Sequence, residues 1–274
     1  MGADIKKLKN RIKSIDSTLH LTKAMGLVAS SKIRRANEAM FASREYAASA
    51  GEIISRLSAE PACRRDPYLR QDEECGGKTK LIVIAGDRGL AGGYNAGIFR
   101  TIRDDESLNG AEMIPIGKKA CDRLGDGYIS AETFSYEQAH ELALTLCEGF
   151  AAKKFDRVRI LCTEYISMMS QQPRIVEVFP LSSDRSEKAS ASMVFEPSED
   201  AVLHSFVPDY VTGLLIACVR ESFASEVAAR RVAMDSAGKN AKQMIDDLQL
   251  EYNRARQSII TQEITEIVAG SDAE

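Results

Sequence analysis

Apolar and small residues recur at alternating steps of three and four along the N-terminal stretch of the chain. The series starts at Ile5 and continues to Leu57 without a break. A repeat of 3.5 residues predicts a long helix with one narrow apolar stripe, which another helix must cover. We therefore predict a helix from Asp4 to Leu57, which would be ~80 Å long at ~1.5 Å per residue. The stripe consists of Ile5, Leu8, Ile12, Ile15, Leu19, Thr22, Gly26, Ala29, Ile33, Ala36, Met40, Ser43, Ala47, Ala50, Ile54 and Leu57.

The middle of this stripe, from Thr22 to Ala50, consists mostly of small residues. Small residues at a helix–helix contact allow the two backbones to approach closely, which predicts a thin helix pair. A coiled coil that only dimerises is one interpretation of such a stripe. The other is that the covering helix belongs to the same chain.

The C-terminal stretch supplies that second helix. Its apolar positions follow the helical repeat from Met234 to Ile259, and from Ile260 onward the stripe shifts by one position, which is a stutter. Ser198 is a good N-cap for this helix, and Pro208 is expected to bend it or to mark a new start. Two terminal helices that flank a middle region are expected to pair antiparallel.

Between the terminal helices, strand-like runs alternate with helical segments. The first run, Leu81–Ala85, is fully apolar, as in a buried parallel strand. Alternation of strands and helices predicts a doubly wound, Rossmann-like α/β domain with a mostly parallel sheet. The other strand candidates are Glu112–Ile116, Tyr128–Phe134, Arg157–Tyr165 and Arg174–Leu181, and helices are expected to about Arg103, over Cys121–Leu124 and over Glu137–Lys153.

The predicted fold class is therefore α/β: a long antiparallel coiled coil of the terminal helices plus a central doubly wound domain. We divide the chain into four segments on this basis. They are an N-terminal coiled-coil helix (1–58), a loop (59–79), the α/β domain (80–195) and a C-terminal coiled-coil helix (196–274).

A glycine-rich loop, Gly86–Gly93, follows the first strand and invites two interpretations. It could hold a phosphate at the start of the next helix, or it could be a tight turn whose glycines allow close packing. A dinucleotide site would also want an acidic residue after the second strand, where this chain has Gly117-Lys118-Lys119. The tight turn is favoured. No spacing of residues suggests a nucleophile with its base, so we expect neither catalytic residues nor a cofactor.

Composition and charge narrow the choice of partners. The six cysteines of this 274-residue chain include no C-x-x-C pair, so a structural zinc site is not expected. Cys63 and Cys75 flank a polar loop and could form a redox pair. The first helix is strongly basic, which favours an acidic partner, and the absence of interleaved aromatic residues counts against nucleic acid. No run of about eighteen apolar residues is found, so no membrane span is expected.

Three separate motifs resemble the gamma subunit of F-type ATP synthases. The N-terminal motif covers Leu21–Met25 and Val28–Ala36, and the central motif is DRGLAGGYN over Asp87–Asn95. The C-terminal motif begins at Ser225-Glu226. It continues through Ala228–Arg230, Val232–Met234, Tyr252–Gln257 (YNRARQ) and Ile260–Val268 (ITQEITEIV). Because the motifs occur in the family's order, the resemblance spans nearly the whole chain.

The resemblance implies a non-catalytic central shaft. In this family the paired terminal helices stand inside a ring of alternating alpha and beta subunits, and the α/β domain contacts the epsilon subunit and the membrane c-ring. Ion flow turns the c-ring and the shaft together, which drives ATP synthesis in the beta subunits. The implied location is the cytoplasmic face of a bacterial cell membrane, with neither nucleic acid nor a membrane span of its own.

Individual roles are also implied by the resemblance. Contacts with the alpha/beta ring are expected at Lys23, Met25, Arg230, Arg256, Gln257, Thr261 and Glu263. Phe195 and Glu196 match positions that face the c-ring. The chain departs from the family pattern at Gly26, where a larger residue is usual, at Ala91, often a cysteine, and at Phe195, commonly a tyrosine.

Two other classes of function remain open at this point. A free-standing coiled-coil scaffold would explain the terminal helices but not the central domain. A nucleotide-binding enzyme would require the Gly86–Gly93 loop to hold phosphate, and nucleotide would then raise the melting temperature.

Overall fold

The computed structural model describes residues 2–70, 77–125, 129–181 and 195–271. Cys75, half of the redox pair considered above, lies outside these residues. The long helices are α1 (Gly2–Ala59) and α5 (Glu199–Ser271). Between them lie β1 (Thr79–Ile84), α2 (Tyr94–Asp104), β2 (Glu112–Ile116), α3 (Lys118–Leu124), α4 (Tyr136–Ala151), β3 (Arg157–Ser167) and β4 (Ser170–Phe179), and three short 3-10 turns at Pro61–Arg65, Pro67–Leu69 and Glu106–Leu108.

The chain divides into two compact units. The first contains Met1–Ser30 and Arg230–Glu274, and the second contains Ser31–Ala229. Both long helices contribute to both units. The four-segment division made from the sequence stays a prediction.

The first unit is an antiparallel helix pair. A Cβ atom at Gly26 of α1 would lie 3.7 Å from Cβ of Met234, and one at Gly238 of α5 would lie 3.6 Å from Oγ1 of Thr22. Rising residue numbers on α5 thus meet falling numbers on α1, as the sequence predicted. The buried positions of the predicted stripes include Thr22, Ala29, Met234, Ala241 and Leu248.

The second unit contains a four-stranded sheet of order β2-β1-β3-β4. Strand β1 is parallel to both β2 and β3, whereas β4 is antiparallel to β3. The sheet is therefore mostly parallel, with one antiparallel edge strand. Only Met168 and Met169 separate β3 from β4. Two residues suffice for a hairpin, and a parallel crossover needs a dozen or more.

Apolar cores cover both faces of this sheet. Ile82 and Ile84 of β1 pack in one core with Leu146 and Phe150 of α4. The alternate residues Leu81 and Val83 pack in another with Ile98 of α2. Because neighbouring residues of a strand point to opposite faces, the continuous apolar run reflects burial on both sides. The predicted doubly wound α/β fold is confirmed.

The helices α1 and α5 are antiparallel within the second unit as well. Gly51 of α1 lies against Tyr210, and Tyr46 lies against Gly213. The α1 stripe continues to be buried here, at Ala36, Met40, Ser43, Ala50, Ile54 and Leu57. The 3.5-residue repeat thus identified the covered face of α1.

One local expectation was wrong, and a second was wrong in one of its two alternatives. Residues 129–134 form no strand: the Ser130 hydroxyl and the Glu132 N–H both donate to Asp87, which ties the segment to a neighbouring loop. Pro208 does not mark a new start, because α5 runs through it. The alternative, a bend of the helix at this proline, stays a prediction. Leu203, Val207, Val211 and Leu215 are fully buried on either side of this proline, and we attribute the continuity to that burial, which offsets the ~3 kcal/mol cost of an interior proline.

Within the described residues, α5 is also long and apolar enough to cross a membrane by length and composition alone. Half of the 18-residue apolar segment of α5 that meets this criterion is buried inside the protein. A core helix passes the same test, and burial against the sheet explains the hydropathy of this one.

Candidate functional site

The glycine-rich loop after β1 is organised by the side chain of Asp87. Its carboxylate accepts hydrogen bonds from the Lys118 N–H (3.0 Å), the Ser130 hydroxyl (2.8 Å) and the Glu132 N–H (2.9 Å). Partial burial raises the pKa of this carboxyl, but the hydrogen bonds outweigh burial and the net shift of the pKa is downward. Asp87 is thus an ionised structural anchor.

Gly86 and two backbone donors of this loop serve packing, whereas a Cβ atom at Gly89 or Gly93 would meet nothing within 4 Å. A Cβ atom at Gly86 would lie 2.7 Å from Cδ of Glu226. The Gly86 N–H donates to Oδ1 of Asn95 (2.9 Å), and the Arg88 N–H donates to Oε1 of Glu226 (3.3 Å). Two backbone N–H groups of the loop are therefore already engaged within the protein. This arrangement agrees with the tight-turn interpretation.

A row of buried polar residues on α5 lies against the sheet and this loop. It consists of Glu221, Ser222, Ser225 and Glu226, which we call the polar row; each is at most 2% exposed. The apolar stripe Leu203, Val207, Val211, Leu215 and Cys218 precedes it on the same helix. Steps of four and three continue that stripe through Ser222 and Ser225. The row was not predicted from the sequence, although polar residues that continue an apolar stripe were a signal for it.

Two expected ring contacts on α1, Lys23 and Met25, lie in the helix pair of the first unit. Lys23 is exposed and Met25 is half-buried. The third, Arg230 of α5, is only 9% exposed. Lys23 is therefore the most accessible of the three to a partner.

Each unit carries a cavity lined by basic side chains, with a volume of about 430 Å³ in the first unit and about 440 Å³ in the second. In the first unit, Lys23, Lys239 and Lys242 surround a cavity of about 430 Å³ that Gly26 and Gly238 also line. Its lining residues carry an excess of positive charge, which suits an acidic partner. In the second unit, Lys32, Arg35 and Arg220 lie around an apolar floor.

The expected contacts near the end of α5 are displayed to solvent. Arg256, Gln257 and Thr261 are exposed. Glu263 belongs to α5, but its side chain lies outside the described residues. The shifted apolar stripe is also exposed here, with Ile260 at 45% and Ile264 at 56%. This end of the helix thus offers polar and apolar side chains together.

The two residues expected to face a c-ring lie just before α5. Phe195 is half-buried and packs against the core that contains Phe150. Glu196 is exposed. Of the pair, only Glu196 presents a charged side chain to solvent.

Across the described parts of the chain, no group of three or more His, Cys, Asp or Glu side chains could hold a metal ion. The buried polar groups instead join α5 to the sheet and its loops. Two long antiparallel helices, a doubly wound α/β domain and exposed basic surfaces define the structural class of the protein.

Comparison with known proteins extends this classification. The family model described as ATP synthase matches residues 4–273. The ATP synthase gamma chain of Desulforamulus reducens is 37% identical, with 99% of each chain covered. The protein of Acetobacterium woodii named "ATP synthase gamma chain, sodium ion specific" is 33% identical over 100% of this chain and 99% of its own length. The chain therefore belongs to the ATP synthase gamma chain family.

Solved structures support the fold. A chain of the Euglena gracilis mitochondrial ATP synthase (OSCP/F1/c-ring) has a TM-score of 0.68 at 19% identity, covering 100% of this chain and 95% of that chain. A chain of the Tetrahymena thermophila central stalk and c-ring has a TM-score of 0.60 at 21% identity. It covers 79% of this chain and 99% of its own length.

Family membership decides between the classes of function left open by the sequence. A gamma chain is a non-catalytic subunit of the rotary ATP synthase, a membrane-associated complex. The scaffold and nucleotide-enzyme hypotheses are therefore set aside. The roles of the individual contact residues stay predictions.

Proposed function

We propose that the chain is the central rotor shaft of an ATP synthase, which couples ion-driven rotation of a c-ring to catalysis in the surrounding beta subunits. The observation that carries this proposal is the match to gamma chains over 99% of both sequences. Its partners would be the alpha, beta and epsilon subunits and the c-ring. We place it on the cytoplasmic face of a bacterial cell membrane.

The helix pair of the first unit suits a shaft that turns inside a close-fitting ring. Gly26, Ala29 and Thr22 keep the contact between the helices narrow, since small residues permit close approach of the backbones. The two helices also carry different exposed residues, so each side of the pair offers a different surface. A rotating shaft needs such asymmetry to affect one catalytic site at a time.

Two exposed regions of the shaft are proposed as its contacts with the alpha/beta ring. One is the basic cavity at Lys23, where positive charge would meet an acidic loop. The other is the end of α5, where Arg256 and Gln257 are exposed beside Ile260. Arg230 contributes less directly because it is nearly buried. Glu196 is proposed as the c-ring contact.

Affinity capture of the tagged full chain from its own membranes tests the shaft role. We expect alpha, beta and epsilon subunits to co-elute with ATPase activity. A chain that elutes alone, or with proteins unrelated to ATPase activity, would contradict the proposal. The untagged strain carried through the same procedure is the control.

The ring contacts require a variant of their own. Arg256→Ala with Gln257→Ala should leave the complex assembled but lower ATP-driven ion pumping relative to ATP hydrolysis. Gln249→Ala is the matched control, since this residue is exposed on the same helix and no role is proposed for it. Equal pumping in the two variants would remove Arg256 and Gln257 from the contact surface.

A further inference from the structure

We propose that the polar row of α5 forms the contacts that transmit torque between the long helices and the sheet, with Glu221 as its central positioning residue. This inference rests on the shaft role proposed above. It concerns contacts between elements of the second unit. No residue of the polar row is among the residues predicted to contact a partner subunit.

The polar row presents one continuous face to the sheet. Its members stand at offsets of zero, one, four and five along α5, and a helix turns by about 100° per residue. The four side chains therefore cover an arc of roughly 140° within about one and a half turns. All four are buried. A polar face of this kind survives burial only when its groups find partners.

Glu221 joins four elements through one carboxylate. Its Oε1 forms an ion pair with Arg44 of α1, and its Oε2 lies 3.1 Å from Nη2 of Arg174 in β4. The Tyr165 N–H of β3 also donates to Oε1 (3.0 Å). Arg44 in turn donates to the Tyr165 carbonyl (3.0 Å). The network thus ties both long helices to the last two strands.

The remaining members fasten α5 to backbone atoms. The Thr163 N–H of β3 donates to Oγ of Ser222 (3.0 Å), and the Ser225 hydroxyl donates to the Thr163 carbonyl (3.4 Å). The Tyr94 hydroxyl donates to the Ser222 carbonyl (2.9 Å). Burial raises the pKa of Tyr94, so this hydroxyl keeps its proton. Backbone partners fix the register of α5 on β3.

Directional contacts matter here because apolar packing is non-directional. A helix packed only by aliphatic side chains resists separation from a sheet more than it resists sliding along it. Sliding of α5 by one position would separate the buried side chains of Glu221 and Ser222 from their partners. Unpaired buried groups carry a large free-energy cost, which therefore opposes rotation and translation of the helix.

Fold stability alone is a poor reason for this arrangement. A buried ion pair often contributes little net stability compared with well-packed apolar residues, whereas removal of one partner is strongly destabilising. The row therefore adds specificity of position more than net stability. If the row were only structural, its loss would lower stability alone. If it bears torque, its loss would also weaken coupling when the shaft is under torque.

The test uses whole complexes that carry Glu221→Gln, or Ser222→Ala with Ser225→Ala. The serine pair is the milder variant and carries the test if Glu221→Gln does not assemble. Leu203→Ala is the control, because Leu203 is fully buried on the same helix but packs only in an apolar core. Melting temperatures are measured so that variants with similar losses of stability are compared.

Two measurements separate the hypotheses: the ions pumped per ATP hydrolysed, and the torsional stiffness of the shaft in single-molecule rotation. We expect the polar-row variants to hydrolyse ATP normally while pumping falls several-fold and stiffness decreases. Leu203→Ala should keep wild-type coupling despite its lower melting temperature. Coupling that is unchanged in the polar-row variants, or that falls equally in Leu203→Ala, would overturn the inference. Failure of the wild-type complex to couple would instead contradict the shaft role.

Discussion

Gly26 provides the sharpest test of how the helix pair is built. Glycine within a helix costs about 1 kcal/mol relative to alanine. A Cβ atom at this position would lie 3.7 Å from Cβ of Met234, an ordinary contact, and 3.0 Å from Nη1 of Arg231, the far end of a flexible side chain. The arginine can move aside at little cost. Gly26→Ala should therefore stabilise the chain by ~0.5–1 kcal/mol.

The matched control is Gly149→Ala, because Gly149 is also helical but lies in the core. Its new Cβ atom would lie 2.6 Å from Cε1 of Phe155, which is buried. Overpacking of this kind typically costs ~1–3 kcal/mol, which exceeds the gain in helix propensity. The same substitution is thus expected to stabilise at one glycine and destabilise at the other.

Thermal unfolding of the purified full chain measures both effects. Circular dichroism is the suitable signal, since the chain contains no tryptophan. For a protein of this size, 1 kcal/mol corresponds to a change in melting temperature of roughly 2 °C. Hydrogen exchange of the amides around Gly26 assigns the gain to the first unit. A lower melting temperature for Gly26→Ala, or equal shifts in the two variants, would refute the packing argument.

Two further predictions concern titratable groups. Burial raises the pKa of Asp87, but its hydrogen bonds outweigh burial and lower the pKa in the folded protein. The ionised Asp87 therefore stabilises the fold above its unfolded pKa, and this stabilisation is lost as pH falls towards the folded pKa. Thermal unfolding at decreasing pH should show a smaller loss of stability in Asp87→Asn than in the wild type. Burial raises the pKa of the Cys63 thiol to about 11 and of the Cys147 thiol to about 12. Iodoacetamide should therefore modify half-exposed Cys121 before either of these cysteines in the folded chain. Mass spectrometry after digestion measures the order of modification. Equal slopes with pH would contradict the first prediction, and early modification of Cys147 would contradict the second.

The sequence predicted the helices and most strands well because these elements depend mainly on residues that are close together in the chain. The heptad stripe of α1 marked Met40 and Leu57 as buried, and both are fully buried. Ser198 marked the start of α5 at Glu199. Periodicity and capping depend on residues a few positions apart, so they can be read without knowledge of the tertiary structure.

The extent and direction of β4 were harder to predict. The sequence suggested a strand from Arg174, but β4 begins at Ser170 and includes Pro173. Proline lacks an N–H donor and is tolerated on an edge strand, and β4 is an edge of this sheet. Only the tertiary arrangement supplies that information.

The partners of the polar row could not be predicted from local pattern, for a related reason. Glu221 pairs with Arg44 and Arg174, which are far from it in the chain. A lone glutamate in an apolar helix has no visible partner in the sequence. Its neighbours Ser225 and Glu226 belong to a motif that the family resemblance noted, but the resemblance gave no contact for either.

Two of the family-like motifs turn out to form one contact, and this yields the last prediction. The central motif follows Gly86, whose missing side chain makes room for Glu226 of the C-terminal motif. Glu226 also accepts the Arg88 N–H. Gly86→Ala should therefore be destabilising, since its Cβ atom would lie 2.7 Å from the Glu226 Cδ and 3.1 Å from its Cγ. Shortening the acid with Glu226→Asp withdraws the carboxylate by one methylene and should relieve that clash.

A double-mutant cycle measures whether the two motifs act as this one contact. Each single substitution should lower the free energy of unfolding, and the double variant should be more stable than the sum of the two losses predicts. Residues in direct contact typically show coupling energies of ~0.5–3 kcal/mol. Gly149→Ala combined with Glu226→Asp is the control, because Gly149 lies against Phe155 and not against Glu226. Additive losses in the Gly86 cycle would mean that glycine is required there for a reason other than the approach of Glu226.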